Sequence, residues 1–357
     1  MSNPEISRAG WFPGILVTGG SGWLGKRVVA TLAGRLNDAA FPSLRADRIR
    51  CLAPPGEEFK ELAALGVETV TGDIRDAEAV KRFVAGFESA LLIHLAGIIH
   101  PRRVRDFEAV NTEGTLGLLA AARDVGLARM VVMSSNSPIG CNPSTTHRFN
   151  EESPYNPYMG YGRSKWLMEL GLREAMRHRR NPEITIIRSP WFYGPGQPPR
   201  QTRFFSMIKD GHFPIVGDGS NRRSMAYVDN LTQGVLLAAT DTRAANEIFW
   251  IADETPYSMN QIIETVGRVM RNDFGIAVKP NKVRLPSIVG EVATLADRVL
   301  QGVGVYQQKI HVLSEMNKTI ACSVDKAKRI LHYKPAVDLE EGMRLSIKWC
   351  LDNGQQI

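Results

Sequence analysis

A tyrosine and a lysine four residues apart stand in Tyr161-Gly162-Arg163-Ser164-Lys165. On a helix that spacing puts both side chains on one face. A phenol ordinarily ionises near pH ~10, and a neighbouring ammonium favours its charged form. The pair can therefore serve as a general base near neutral pH. Upstream, the apolar run Met130-Val131-Val132-Met133 ends in Ser134-Ser135-Asn136. It reads as a strand over 130–134. A serine at the carboxyl end of a parallel strand lies where such sheets bind ligands, so Ser135, with Asn136 beside it, is a candidate holder of a substrate hydroxyl or carbonyl. Each feature alone also occurs on ordinary surfaces; together they describe proton transfer at a carbon–oxygen centre.

A second constellation supplies the partner for that chemistry. Ile15 to Thr18 is a short apolar strand, and Thr18-Gly19-Gly20-Ser21-Gly22-Trp23-Leu24-Gly25 follows it. Gly19 allows the turn, Gly22 lets backbone approach a pyrophosphate, and Gly25 lets the next helix pack closely. Val28, Val29, Leu32 and Leu36 give that helix an apolar face. Its N-terminus aims free N–H groups and partial positive charge at an anion. This is a dinucleotide cradle, with Ser21, Trp23 and Leu24 completing the turn. The positive ring of an oxidised nicotinamide would further favour a Tyr161 phenolate.

The elements between alternate. Strands are expected at 48–53, 67–71, 90–96, 130–134, 184–188 and 247–252, and helices at 57–65, 76–87, 112–125 and 161–177. The nearly all-apolar run 90–96 suits a strand covered on both faces. The expected fold is α/β, a doubly wound parallel Rossmann sheet. Residues 189–199, rich in proline, glycine and aromatics, read as a loop. Helices are expected at 204–210, 228–239, 259–271 (with Ser258 as N-cap), 284–316, 324–332 and 339–352. The expected domains are residues 13–190 with 225–255 for the dinucleotide, and 191–224 with 256–357 as a smaller, interleaved substrate-binding domain.

The chain has 357 residues, 43% hydrophobic and 23% charged, with a net charge of +7. These values fit a globular domain pair. No long basic block interleaved with aromatics points to nucleic acid, no apolar run is long enough to span a bilayer, and no metal-ligand spacing is present. A nucleic-acid, membrane or metal partner is therefore not expected. Cys51, Cys141, Cys322 and Cys350 are widely spaced, which fits reduced thiols. With no signal-peptide core at residues 1–10, a cytoplasmic location is expected. His94 lies inside an apolar strand and reads as a core histidine. The run His100-Pro101-Arg102-Arg103-Val104-Arg105 reads as a solvated loop, with anion binding as the alternative.

Over roughly residues 14–252 the sequence resembles the extended short-chain dehydrogenase/reductase family, with weaker similarity to the end. The motifs are the glycine turn, Gly72-Asp73-Ile74-Arg75-Asp76, His94-Leu95-Ala96-Gly97, Asn111-Thr112-Glu113-Gly114-Thr115, Ser134-Ser135, Tyr161 with Lys165, Tyr193-Gly194-Pro195-Gly196 and Tyr227-Val228-Asp229-Asn230. The resemblance implies Tyr161 as base, Lys165 as its partner and ribose ligand, and Ser135 as donor to the substrate oxygen. It implies Asp73 and Ile74 near the adenine, and Leu95, Ala96, Gly97, Asn111 and Ser134 beside the cofactor. It also implies a homodimer packed through 112–125 and 161–177.

The cofactor is expected to be NAD or NADP. The acid that NAD-preferring members often carry after the second strand is missing at Ala53-Pro54-Pro55, and Lys26 and Arg27 are the candidate 2′-phosphate ligands. Two substrate classes stay open. Arg223, four residues before Tyr227-Val228-Asp229, matches an arginine that holds the diphosphate in nucleotide-sugar epimerases, and a guanidinium suits phosphate. Trp191 or Phe192 replaces an asparagine those enzymes often carry, and residues from Leu285-Pro286 onward look more like 3β-hydroxysteroid dehydrogenase. Nucleotide-sugar 4,6-dehydratases place Asp and Glu where this chain has Asn136 and Ser137. The expected reaction is hydride transfer at a secondary alcohol or ketone, first of a nucleotide-sugar (epimerase or reductase), alternatively of an apolar substrate. A non-catalytic dinucleotide sensor is the third reading.

Overall fold

A computed structural model describes residues 10–55, 60–179 and 181–357. Seven strands form one parallel sheet: β1 (Ile15–Thr18), β2 (Ile49–Ala53), β3 (Glu68–Thr71), β4 (Leu91–His94), β5 (Arg129–Met133), β6 (Glu183–Arg188) and β7 (Glu247–Trp250). Their spatial order is β7-β6-β5-β4-β1-β2-β3. The centre is apolar on both faces because both are covered. Ile15 and Val17 of β1 join one core with Val28 and Val29, while Leu16 between them joins another with Val80, Phe83 and Leu118. Each expected strand is present, within a few residues of its expected ends.

The helices are α1 (Trp23–Leu32), α2 (Lys60–Ala63), α3 (Ala77–Val84), α4 (Thr115–Asp124), α5 (Met159–Arg177), α6 (Pro199–Lys209), α7 (Val228–Thr240), α8 (Met259–Phe274), α9 (Ser287–Gly302), α10 (Gln308–Glu315), α11 (Asp325–Leu331) and α12 (Leu339–Asp352). α1 and α7 cover one face of the sheet, and α3, α4 and α5 the other. The expected helix at 57–65 is short; its first three residues lie outside the described residues, as does Arg180. Ahead of α4 the chain winds as a π-helical stretch, Glu108–Gly114. Ser258 caps α8 in a reciprocal capping box with Gln261.

Two expectations beyond β6 are corrected. The aromatic segment 189–199 is not all loop: Trp191–Tyr193 pairs in parallel with Met225–Tyr227, because aromatic residues suit a paired strand. The run 284–316 is not one helix. Arg284–Leu285 pairs with Ile215–Val216, and the chain breaks between α9 and α10, where Gly304 has φ +83°. α9 and α10 pack side by side and α9 lies against α5, since the backbone N–H of Gly160 donates to Gln301 Oε1 at 2.9 Å.

Several motif residues prove architectural. Tyr193 donates its hydroxyl to Asp253 at 2.9 Å, and the Tyr227 N–H and Asn230 amide each donate to the same carboxylate at 2.8 Å. Burial pushes Asp253 up to about 7. Asn230 also binds Val337 backbone, tying the C-terminal segment to the sheet.

Candidate active site

The strand order reverses direction between β1 and β4, where open parallel sheets bind ligands. The turn after β1 is shaped by two glycines. Gly19 has φ +74°, and a Cβ there would lie 2.7 Å from the Ala96 nitrogen. A Cβ on Gly25 would lie 1.9 Å from the Gly19 carbonyl oxygen. The third glycine thus packs on the turn itself. Gly22 donates to the Gly19 carbonyl at 3.0 Å and leads exposed into α1. Leu24 is buried and Ser21 half-buried. Trp23 turns into the protein: its indole N–H donates to the Pro195 carbonyl at 2.8 Å and its ring lies 4.7 Å from Phe192. The phosphate turn is thereby tied to the segment after β6.

His94 locks β1 to β4 and to the helical stretch before α4. Its Nδ1 meets Thr18 Oγ1 at 2.6 Å and its Nε2 meets Thr115 Oγ1 at 2.8 Å. Thr115 donates onward to the Asn111 carbonyl, and the Ala96 N–H donates to Thr18 Oγ1. Burial lowers the ring to about 3, with the Lys165 charge adding to it, so His94 is the neutral core residue its sequence setting suggests. Asn111 accepts from the Ile98 N–H at 2.9 Å and donates to Ser164 Oγ at 3.0 Å, joining the loop after β4 to the catalytic helix α5. Gly97 lies against both Asn111 and Lys165, since a Cβ on it would stand 3.2 Å from Asn111 Oδ1 and 3.5 Å from Lys165 Nζ. Leu95 and Ala96 continue that rim, half-buried. Past β3, Asp73 pairs with Arg75, which lowers its carboxyl, and Ile74 packs on Gly114.

Lys165 is buried and donates to the Met133 carbonyl at 2.9 Å. Burial lowers its ammonium to about 8, opposed by the Glu169 carboxylate. Tyr161 is pushed up to about 12 by burial, with hydrogen bonding from Ser135 pulling the other way. Burial is the largest influence on the phenol, and the Lys165 ammonium donates to a backbone carbonyl. Burial thus favours the protonated phenol at Tyr161. Ser135 Oγ also lies 3.3 Å from Ser137 Oγ and 3.4 Å from Asn136 Oδ1.

Ser134 is turned away from the cleft: it donates to Glu169 Oε1 at 2.6 Å. Glu169 and Arg188 form a fully buried ion pair at 2.7 Å, and Tyr155 donates to the same carboxylate at 2.8 Å. The sequence reading missed this network; the four-residue step Tyr161, Lys165, Glu169 along one helix face was its signal. Also missed was the wall above Tyr161. Phe107 lies 5.9 Å from the Tyr161 ring and 5.4 Å from Tyr306. Tyr306 meets His100 Nδ1 at 2.7 Å, and His311 Nδ1 meets buried Asp297 at 2.7 Å. Burial opposes charge on His311, but Asp297 and Glu315 outweigh it and raise its pKa.

Of the candidate substrate residues, Arg223 donates to the carbonyl of Glu315 at the end of α10. Trp191 sends its indole to Gln201 at 3.1 Å and packs on Phe204. Arg222 points elsewhere, into a separate cavity of about 520 Å³ shared with Arg148 and Tyr257. The candidate phosphate ligands after the glycine turn are engaged: Arg27 grips Asp229 in a two-pronged pair, and Lys26 meets Glu61.

A turn that only glycine fits opens a helix at the sheet's switch point, on the side of the sheet that carries Ser135, Tyr161 and Lys165. The NAD dependent epimerase/dehydratase family matches residues 15–252. The chain belongs to this family. It is an NAD(P)-dependent epimerase/dehydrogenase of the extended short-chain dehydrogenase/reductase type. The uncharacterized protein y4nL of Sinorhizobium fredii is 58% identical over 343 residues, 96% of each chain. The N-acetyl-alpha-D-glucosaminyl-diphospho-ditrans,octacis-undecaprenol 4-epimerase of Escherichia coli O157:H7 is 28% identical over 253 residues, 71% of each chain. The crystal structure of DesIV, a dTDP-glucose 4,6-dehydratase from Streptomyces venezuelae with NAD bound, is similar with TM-score 0.73 and 25% identity, covering 95% of this chain and 97% of its own. The family's cofactor, NAD or NADP, fits a tight glycine turn whose exposed Gly22 leads into the N-terminus of α1.

Proposed function

We propose that this epimerase-family enzyme acts on a secondary alcohol or ketone of a sugar carried on a diphosphate, as an epimerase or reductase. When bound, the nicotinamide supplies and takes back a hydride; the other steps belong to the chain. Ser135 donates to the substrate oxygen. Tyr161 holds a proton at its phenol oxygen and gives it to that oxygen, or removes it in the reverse direction. Lys165 supplies positive charge beneath them and, with Asn111 and Gly97, a floor for the ribose. Gly19, Ser21, Gly22, Trp23, Leu24 and Gly25 line the phosphate turn.

The observation that carries the sugar reading is Arg223. Pairing of Arg222–Arg223 with Tyr257–Ser258 projects it to the end of α10, whose Glu315 carries charge toward Tyr161. A guanidinium there suits a diphosphate. The name of the Escherichia coli relative, with its sugar on a diphosphate, agrees. Elimination of water has no support, since Asn136 and Ser137 hold no carboxyl group. A second reading, an apolar ketone, rests on the aromatic wall of Phe107 and Tyr306. Residues 13–190 with 225–255 serve the cofactor, and 191–224 with 256–357 the substrate. The protein works as a homodimer through 112–125 and 161–177, in a reducing cytoplasm that keeps its four cysteines as thiols.

The test is thermal stabilisation by UDP-, GDP- and dTDP-sugars with NAD(P) present. A shift with one of them, lost in Arg223→Ala, is expected. No shift with any, together with turnover of an apolar ketone, replaces the sugar reading by the second.

A further inference from the structure

α9 carries an unusual outer face. Ile288, Val292, Leu295, Val299 and Val303 are each between 59% and 72% exposed. Their spacing of three and four residues places them in one stripe. Val305 and Val312 extend it, also exposed. The inward face of α9 carries small and polar side chains where it meets the protein: Gly290, Ala293 and Asp297 are buried, Asp297 binds His311 and Gln301 binds Gly160. Most of the large aliphatic side chains along this helix therefore face solvent.

Basic side chains frame the stripe. Lys282 and Arg284 lead into the start of α9, and Arg298 lies on its flank, all exposed. At the far end, backbone pairing of Arg103 with Val305 brings exposed Arg102 and Arg103 beside the last valines. Among the described residues none of these five cations is in an ion pair, while the acid on the helix's flank, Glu291, is taken by Lys318.

Two surfaces could cover such a stripe. A strip along a 16-residue helix is about 24 Å long and about 10 Å wide. That falls far short of the ~800 Å² per partner of a stable protein interface. A second copy would also bring the same unpaired cations against their own kind. An aliphatic stripe framed by cations instead matches an anionic bilayer, into whose headgroup region such a helix sinks its apolar face. No helix among the described residues is long and apolar enough to cross a membrane; contact at the surface needs no crossing.

We propose that α9 and its connection to α10 dock this enzyme on an anionic lipid surface. Arg102 and Arg103 then face headgroup phosphates. The docked helix is the one whose Gln301 accepts from the Gly160 N–H of α5. The proposal does not depend on which substrate the enzyme uses.

Co-sedimentation of the full chain with vesicles tests it. Binding is expected with phosphatidylcholine–phosphatidylglycerol vesicles, weaker with phosphatidylcholine alone, and weakened by salt. Leu295→Gln with Val299→Gln is expected to reduce it about tenfold or more, with melting temperature and NAD(P) binding unchanged. Arg102→Gln with Arg103→Gln should reduce binding only to the anionic vesicles. If the first pair folds poorly, Val303→Gln replaces it. Wild-type protein left in the supernatant with both vesicle types overturns the proposal. So does binding that the apolar variants retain, or a dimer that those variants abolish in light scattering.

Discussion

Glu169 stands one helical turn beyond Lys165, yet its carboxylate is given to Arg188 while the lysine donates to the Met133 carbonyl. The Lys165 ammonium is therefore held by backbone, and the acid below it neutralises a guanidinium that ends β6. Both members of the ion pair are fully buried, so neither can be removed without stranding the other's charge.

Glu169→Gln is expected to cost about 3–5 kcal/mol of unfolding free energy, read by urea denaturation. The double variant Glu169→Gln with Arg188→Met should cost less than Glu169→Gln alone. Additive losses would show that the two side chains do not act as a pair.

Tyr161→Phe removes the proton that the phenol holds while leaving the ring's contact with Phe107. Turnover should fall by roughly 10²–10⁴, with NAD(P) affinity and melting temperature little changed. Unchanged turnover would remove Tyr161 from the chemistry.

Lys165, lowered to about 8 by burial, should give cofactor affinity a basic limb near that pH. Titration of NAD(P) binding from neutral to alkaline pH should show it, and Lys165→Arg should abolish it, because a guanidinium stays charged. The sign for stability is the reverse. In the folded state the lysine binds fewer protons than in the unfolded chain between about 8 and its ordinary value of 10.5. Its contribution to stability therefore rises with pH across that window.

Arg27 is committed to Asp229, with side chains only 25% and 16% exposed. Arg27→Met should lower the melting temperature, because the pair joins α1 to α7. The ratio of NAD to NADP affinity should stay the same. A selective loss of NADP would instead make Arg27 a phosphate ligand.

The parallel sheet and the glycine turn were legible in the sequence for one physical reason: both are local. Strand periods of both-face burial, a glycine turn and a four-residue helical step are all read within a short window. The glycines at 19 and 25 show it well, since the turn that demands them is formed by neighbours. The neutrality of His94 was legible too, from its apolar strand. What the sequence could not show is where polar side chains find partners far along the chain. Ser134 looks like a ligand group until the fold brings Glu169 to it, and Arg27 looks free until Asp229 arrives from α7. Tyr161's acidity depends on burial, which a spacing of four residues does not report. The outer stripe of α9 has an ordinary helical pattern. Only the tertiary structure, by packing the side with Gly290, Ala293 and Asp297 onto the protein, decided that its larger aliphatic side chains face out.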